Sequence, residues 1–189
     1  MFRAYIPPFL FLCAIALPCW LAFRVNRLRT RGHLWSRRRE LVLLTFVLYL
    51  LGLVAVTLSP PPVRRARAAA AIKTELHVNP ASLTCSSAPS GSRAHGFCVD
   101  NAVGNVVLFL PLGFLLPLVL GRLRFGSGVL IAIALSSSIE LIQFASRGWS
   151  QRTADVNDVI LNSLGASIGL VIVFLLRLRQ GVRPADRRD

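Results

Sequence analysis

Five long apolar blocks set the limits on what this sequence can fold into. They run from about Ala4 to Phe23, Leu41 to Leu58, Val103 to Leu120, Gly126 to Phe144 and Val156 to Leu176. A bilayer core about 30 Å thick is crossed by roughly 20 helical residues, so each block is long enough to approach a span. The 54% hydrophobic content is gathered into these blocks instead of alternating along strands. The expected fold is therefore all-α: a polytopic membrane helical bundle with about five transmembrane helices.

Charge fixes the expected orientation. Of the 22 basic residues all but Lys73 are arginine, and most lie between apolar blocks, where membrane topology signals belong. Residues 24–40, 121–126 and 177–189 carry fourteen of them; the longer connections on the opposite side carry eight. The positive-inside rule then places the N-terminus outside and the C-terminus inside. Arg24, Arg27, Arg29 and Arg31 follow the first block, which is the wrong polarity for a cleaved signal peptide, so that block reads as a retained helix. Despite a net charge of +14, no nucleic-acid module or aromatic-interleaved basic face accompanies the arginines, and nucleic acid is not expected as a partner.

These blocks suggest four regions: residues 1–58 with two transmembrane helices and a basic cytoplasmic loop, 59–100 as an extracytoplasmic loop, 101–176 as a three-helix core, and 177–189 as a basic cytoplasmic tail. The loop opens with SPPP and continues through Ala/Arg-rich and Ser/Gly/Pro-rich sequence. Cys85 and Cys98 lie in it, either bonded to each other if it faces an oxidising exterior or as two free thiols. Cys13 and Cys19 lie in the first helix, as small apolar side chains.

Within the last three blocks a few polar residues recur at helical spacing. Asn101 and Asn105 share a face of the third helix, which Pro111 and Gly113 are expected to bend. Ser136, Glu140 and Gln143 form a stripe on the fourth, and Asp158, Asn162, Gly165 and Gly169 form one on the fifth, with Asp155 just before it. The expected topology brings Asn105, Glu140, Gln143, Asp155 and Asp158 toward the external ends of their helices. The short connection ASRGWSQRTADVN makes helices four and five antiparallel neighbours and adds Arg147 and Arg152.

An ionisable side chain facing lipid costs roughly 2.5–3.5 kcal/mol even on the lenient scale, so Glu140 requires a partner or a watery cavity. Arg152 is the expected partner, either as a structural lock or as one side of an anionic-ligand site. Asp155 and Asp158 read as caps of the fifth helix or, with Glu140, as hard oxygen ligands for a divalent cation. The expected cofactor is none, and the cation is the alternative. Asn105 and Asn162 read as interhelical hydrogen-bonding residues, and Gly165 and Gly169 as a small-xxx-small packing step. Ser136 to Ser138 offer hydroxyls beside Glu140, which in membrane helices usually bond to backbone or a neighbouring helix. His33, His77 and His95 all lie in hydrophilic connections, which argues against histidine-based phosphatase or zinc peptidase chemistry.

Three ordered motifs, NVVLFLPLGFLLPL at 105–118, SSSIELIQF at 136–144 and RTADVNDVILNSLGASIG at 152–169, resemble the VanZ-like family of small bacterial membrane proteins. The match covers residues 101–176, and nothing comparable is read in the first two helices. The resemblance implies a helical protein of the bacterial cell membrane, in a family whose founding member is linked to resistance against teicoplanin, a lipoglycopeptide that binds cell-wall precursors. By motif match the family's recurrent polar positions correspond to Asn105, Glu140, Gln143, Arg152, Asp155, Asp158 and Asn162. Arg147 and Trp149 are additions within the fourth-to-fifth connection. The expected activity is binding or handling of an anionic envelope lipid or glycopeptide at the outer leaflet, with membrane lipids, a cell-wall precursor lipid or a lipoglycopeptide as partner and no catalysis. The alternatives are an enzyme acting on a lipid-linked phosphate and a lipid transporter or flippase. The second is weakened by the absence of an internal repeat.

Overall fold

The computed structural model describes residues 2–31, 36–59, 85, 90–146 and 155–181. A 3-10 turn at Phe2–Tyr5 leads into α1 (Ile6–Arg31), followed by α2 (Arg37–Leu58), α3 (Arg93–Leu120), α4 (Phe125–Ala145) and α5 (Val156–Gly181). There is no strand among the described residues. All five helices are long and apolar enough to cross a membrane. The protein is thus all-α and multi-pass, as the apolar blocks require. Helix α3 stays helical through Pro111 and Pro117, and α1 through Pro18. Neighbouring helices and local adjustment re-satisfy the freed carbonyls in membrane helices, so proline is tolerated there.

Helix α3 begins well inside the segment expected to be loop. The residues RAHGFCVD carry no apolar periodicity, so composition alone assigns them to a connection. The start is set by local chemistry: Gly91 supplies a φ of 84°, and Ser92, extended at the N-cap, accepts the His95 backbone N–H on its Oγ at 3.1 Å. A disulfide joins Cys85 to Cys98 on the second turn of α3, and His95 Nδ1 lies 3.1 Å from the Cys85 carbonyl oxygen. Cys13 and Cys19 are free.

The chain forms two compact units, one of Met1–Pro80 with Ser137–Asn157 and one of Ala81–Ser136 with Asp158–Asp189. In the first, α1 and α2 make an antiparallel hairpin. Arg24 on α1 meets Glu40 on α2 at one end, and Phe9 packs toward Gly52 nearer the other.

The second unit consists of α3, the first part of α4, and α5. Contacts between α3 and α5 advance together along both helices: Asn105 with Asp158, Val106 with Gly165, Leu110 with Gly169, Pro117 with Arg177. These helices therefore run parallel. Contacts of α4 with α5 run in opposite order, from Phe125 with Phe174 through Gly128 with Leu170 to Ser136 with Asn162, so α4 is antiparallel. The parallel pair is closely apposed. A Cβ at Gly165 would lie 2.1 Å from the Val106 carbonyl oxygen, one at Gly169 2.2 Å from that of Leu110, and one at Gly113 1.8 Å from that of Ala166. Small residues let membrane helices approach backbone to backbone, where dispersion and hydrogen bonding hold them. At the far end Arg177 donates to the Pro117 carbonyl oxygen at 2.7 Å, which also accepts the Gly121 backbone N–H, and to the Gly121 carbonyl oxygen at 3.1 Å, just past the end of α3.

Candidate functional site

Within the three-helix unit the polar residues act as joints. Asp158 sits in the first turn of α5, where the helix dipole favours a negative charge. Its Oδ1 accepts from the side-chain amides of Asn101 and Asn105 on α3, at 3.1 and 2.5 Å. The four-residue spacing of the two asparagines is what brings both amides to one oxygen. One turn deeper in α5, Asn162 donates through Nδ2 to Ser136 Oγ on α4 at 2.8 Å. Asn162 is 3% exposed and Ser136 0%. The Asn162 Oδ1 is buried and takes no hydrogen bond among the described residues.

The other unit contains the glutamate. Glu140 is 8% exposed, and its Oε2 accepts the backbone N–H of Asp155 at 2.9 Å. Asp155 in turn accepts the Asn157 backbone N–H on Oδ1 at 2.9 Å. That second bond is an N-cap, because Asn157 is the second helical residue of α5 and its N–H has no partner within the helix. The carboxylate of Glu140 thus holds the residue that starts the next helix. One turn on, Gln143 is 5% exposed and donates Nε2 to the Thr57 carbonyl oxygen at 2.9 Å, capping the end of α2. On the other side of α4, Leu141, Ile142 and Phe144 are exposed, the surface that lipid covers in a membrane helix.

The candidate residues are therefore distributed between the units. Glu140, Gln143 and Asp155 belong to one; Asn105, Asp158 and Asn162 to the other. Arg152, the expected partner of Glu140, and Arg147 and Trp149 lie outside the described residues. Gly165 and Gly169 have a packing role, and Gly113, expected only to bend α3, shares it. Thr57, Ser136 as partner of Asn162, and Arg177 were not predicted as contact residues. Thr57 carried no signal, since it contributes a main-chain oxygen. Ser136 was visible as a buried hydroxyl at helical spacing from Glu140. Among the described residues no three of His, Cys, Asp or Glu come together as a metal site.

A family model for VanZ/LLP1 matches residues 46–177, more than half of the chain. The chain belongs to the VanZ/LLP1 family. The match is wider than the three motifs suggest: it begins on α2 and takes in the Thr57 carbonyl that Gln143 caps. A relative is Protein VanZ of Enterococcus faecium, 29% identical over 85 residues, which are 45% of this chain and 51% of that protein. The chain thus spans about half the length of this curated relative. No solved structure matches it. Among the described VanZ-like positions, Glu140, Gln143 and Asn162 are buried, Asn105, Asp155 and Asp158 are half-buried, and Asn105 meets Asp158 directly.

Proposed function

We propose that this VanZ-like protein acts at the envelope of the bacterial cell membrane by binding an anionic envelope lipid or glycopeptide at the outer leaflet, through Glu140 and Asp155 together with Arg152 of the same connection. The observation that carries this is Glu140: a carboxylate 8% exposed within a membrane-spanning helix, oriented by the backbone of the connection that bears the arginine. An ionisable residue at membrane depth is by default functional, because composition alone would remove it. The carboxylates and amides suit hydroxyl and amide groups of a sugar or peptide, and Arg152 suits a phosphate. Asp158, already holding two asparagine amides, serves this reading as a joint. A link to teicoplanin resistance follows from the family and is part of the proposal.

A second reading, that Glu140 is purely a structural lock, is favoured by its bond to Asp155 and the cap that Asp155 makes on α5. Glu140→Gln separates the two, because a glutamine oxygen still accepts the Asp155 N–H while the charge is gone. Binding predicts a protein present at normal abundance that no longer retains an anionic lipid in native mass spectrometry and no longer alters teicoplanin susceptibility. A lock predicts unchanged phenotype in Glu140→Gln and lost protein in Glu140→Ala.

A further inference from the structure

The α1–α2 hairpin carries a second feature, built around the Arg24–Glu40 pair and separate from Glu140 and the polar residues of α3 and α5. Near the ends where α1 finishes and α2 begins, an open cleft of about 720 Å³ lies along the pair. Its walls are apolar, with Leu21, Val25, Leu41 and Leu44 among them, and Trp20 lines it from α1. Arg24, Arg37 and Glu40 also line it. Arg24 engages Glu40 as a fork, with Nε donating to Oε2 at 3.0 Å and Nη2 to Oε1. This is the one ion pair among the described residues, so Arg37 has no acidic partner there. Seven arginines and one acidic residue occupy positions 24–40, and the field at this end is strongly positive.

We infer that this cleft is a binding site for an anionic phospholipid, its phosphate at Arg24 and Arg37 and an acyl chain along the leucine and valine walls. Three properties converge on that occupant. The volume is in the range of ligand pockets and suits a chain segment better than an ion. An arginine fork held by a carboxylate keeps a fixed orientation while three of its five N–H donors stay outside the two Glu40 bonds, and guanidinium geometry matches phosphate. Tryptophan beside cations is the arrangement of a membrane–water interface, where headgroup and chain meet. A free phosphate would use the arginines and leave the apolar walls unused; a zwitterionic lipid would use the walls and gain little from Arg37. Basic segments beside a membrane helix favour anionic lipid by a factor of about five per arginine.

The test uses the full chain with Trp35→Phe and Trp149→Phe, which leaves Trp20 as its sole tryptophan. In vesicles of phosphatidylcholine containing a small fraction of acyl-brominated lipid, quenching of Trp20 reports a bromine at the cleft. The expected result is half-maximal quenching at about a fivefold or greater lower fraction of brominated phosphatidylglycerol than of brominated phosphatidylcholine. Arg37→Gln brings the two lipids together, and millimolar inorganic phosphate leaves the preference in place. Arg122→Gln, which alters a basic residue elsewhere, leaves it intact. Equal quenching by both lipids overturns the inference, as does a preference that survives in Arg37→Gln and Arg24→Gln alike, or one abolished by phosphate alone. Arg37→Gln is the deciding variant, since Arg37 lies outside the ion pair that ties the hairpin together.

Discussion

The closeness of α3 and α5 is open to a direct mutational test. In Gly169→Ala the new methyl would sit 2.2 Å from the Leu110 carbonyl oxygen and 2.7 Å from the Phe114 nitrogen; in Gly165→Ala it would sit 2.1 Å from the Val106 oxygen. Both obstacles are backbone, so no rotamer change relieves them. Restoring ordinary contact requires the helices to separate by about 1 Å, and a gap of 0.5–1 Å already forfeits about a quarter to a half of each pairwise attraction along an interface. Overpacking costs about 1–3 kcal/mol, and a rigid neighbour puts these two changes in the upper half of that range, about 2–3 kcal/mol. Gly104→Ala is the control. It lies on α3 with nothing within 4 Å of its added Cβ, and alanine there is neutral or stabilising by up to about 1 kcal/mol. Unfolding in mixed detergent micelles, followed by far-UV circular dichroism, measures all three. One separation accommodates both methyls, so Gly165→Ala with Gly169→Ala should cost less than the two singles added. If both singles fall within about 0.5 kcal/mol of Gly104→Ala, the helices do not approach this closely and the reasoning fails.

Other expectations follow from individual contacts. Ser136→Ala strands the buried Asn162 amide and should destabilise by about 1–2 kcal/mol in the same unfolding assay, while adding Asn162→Ala to it should cost little more. Gln143→Leu leaves the Thr57 carbonyl uncapped and should lose about 1–2 kcal/mol, whereas a loss below 0.5 kcal/mol would mean that another donor takes that oxygen. For the disulfide, denatured but unreduced protein should take up two maleimides, on Cys13 and Cys19, and four after reduction; four without reduction would show Cys85 and Cys98 as thiols.

How legible this fold was depended on the range of the signal. The five spans could be read because twenty apolar residues have few other soluble or membrane uses, and four of the five helices begin within about four residues of their apolar blocks. Helix α3 escaped because its first ten residues scatter a few apolar side chains among Arg93, His95, Asp100 and Asn101 and form no apolar block; a Gly-Ser start whose serine caps the His95 N–H is a local cue that composition obscures. The pairings of Asn105 and Asn162 with other helices followed from face and depth. The bond from the Asp155 main-chain N–H to Glu140 did not, because a backbone donor leaves no mark in a sequence. The same holds for Gln143, whose acceptor is a carbonyl 86 residues away.

Packing and polar bonding in the three-helix unit are not independent. Val106, whose carbonyl faces Gly165, follows Asn105, whose amide reaches Asp158, so the glycine contact sets the distance at which that hydrogen bond forms. A methyl at Gly165 that parts the helices by about 1 Å would stretch a normal hydrogen bond past its useful range. Asp158→Ala, removing an acceptor shared by two amides, should cost roughly 2–4 kcal/mol by itself. In Gly165→Ala much of that interaction is already lost, so adding Asp158→Ala should cost at least 1 kcal/mol less than it does in the native background. Strict additivity would show that the glycine step and the carboxylate joint act separately, and that close approach of α3 and α5 does not fix the position of the Asp158 carboxylate.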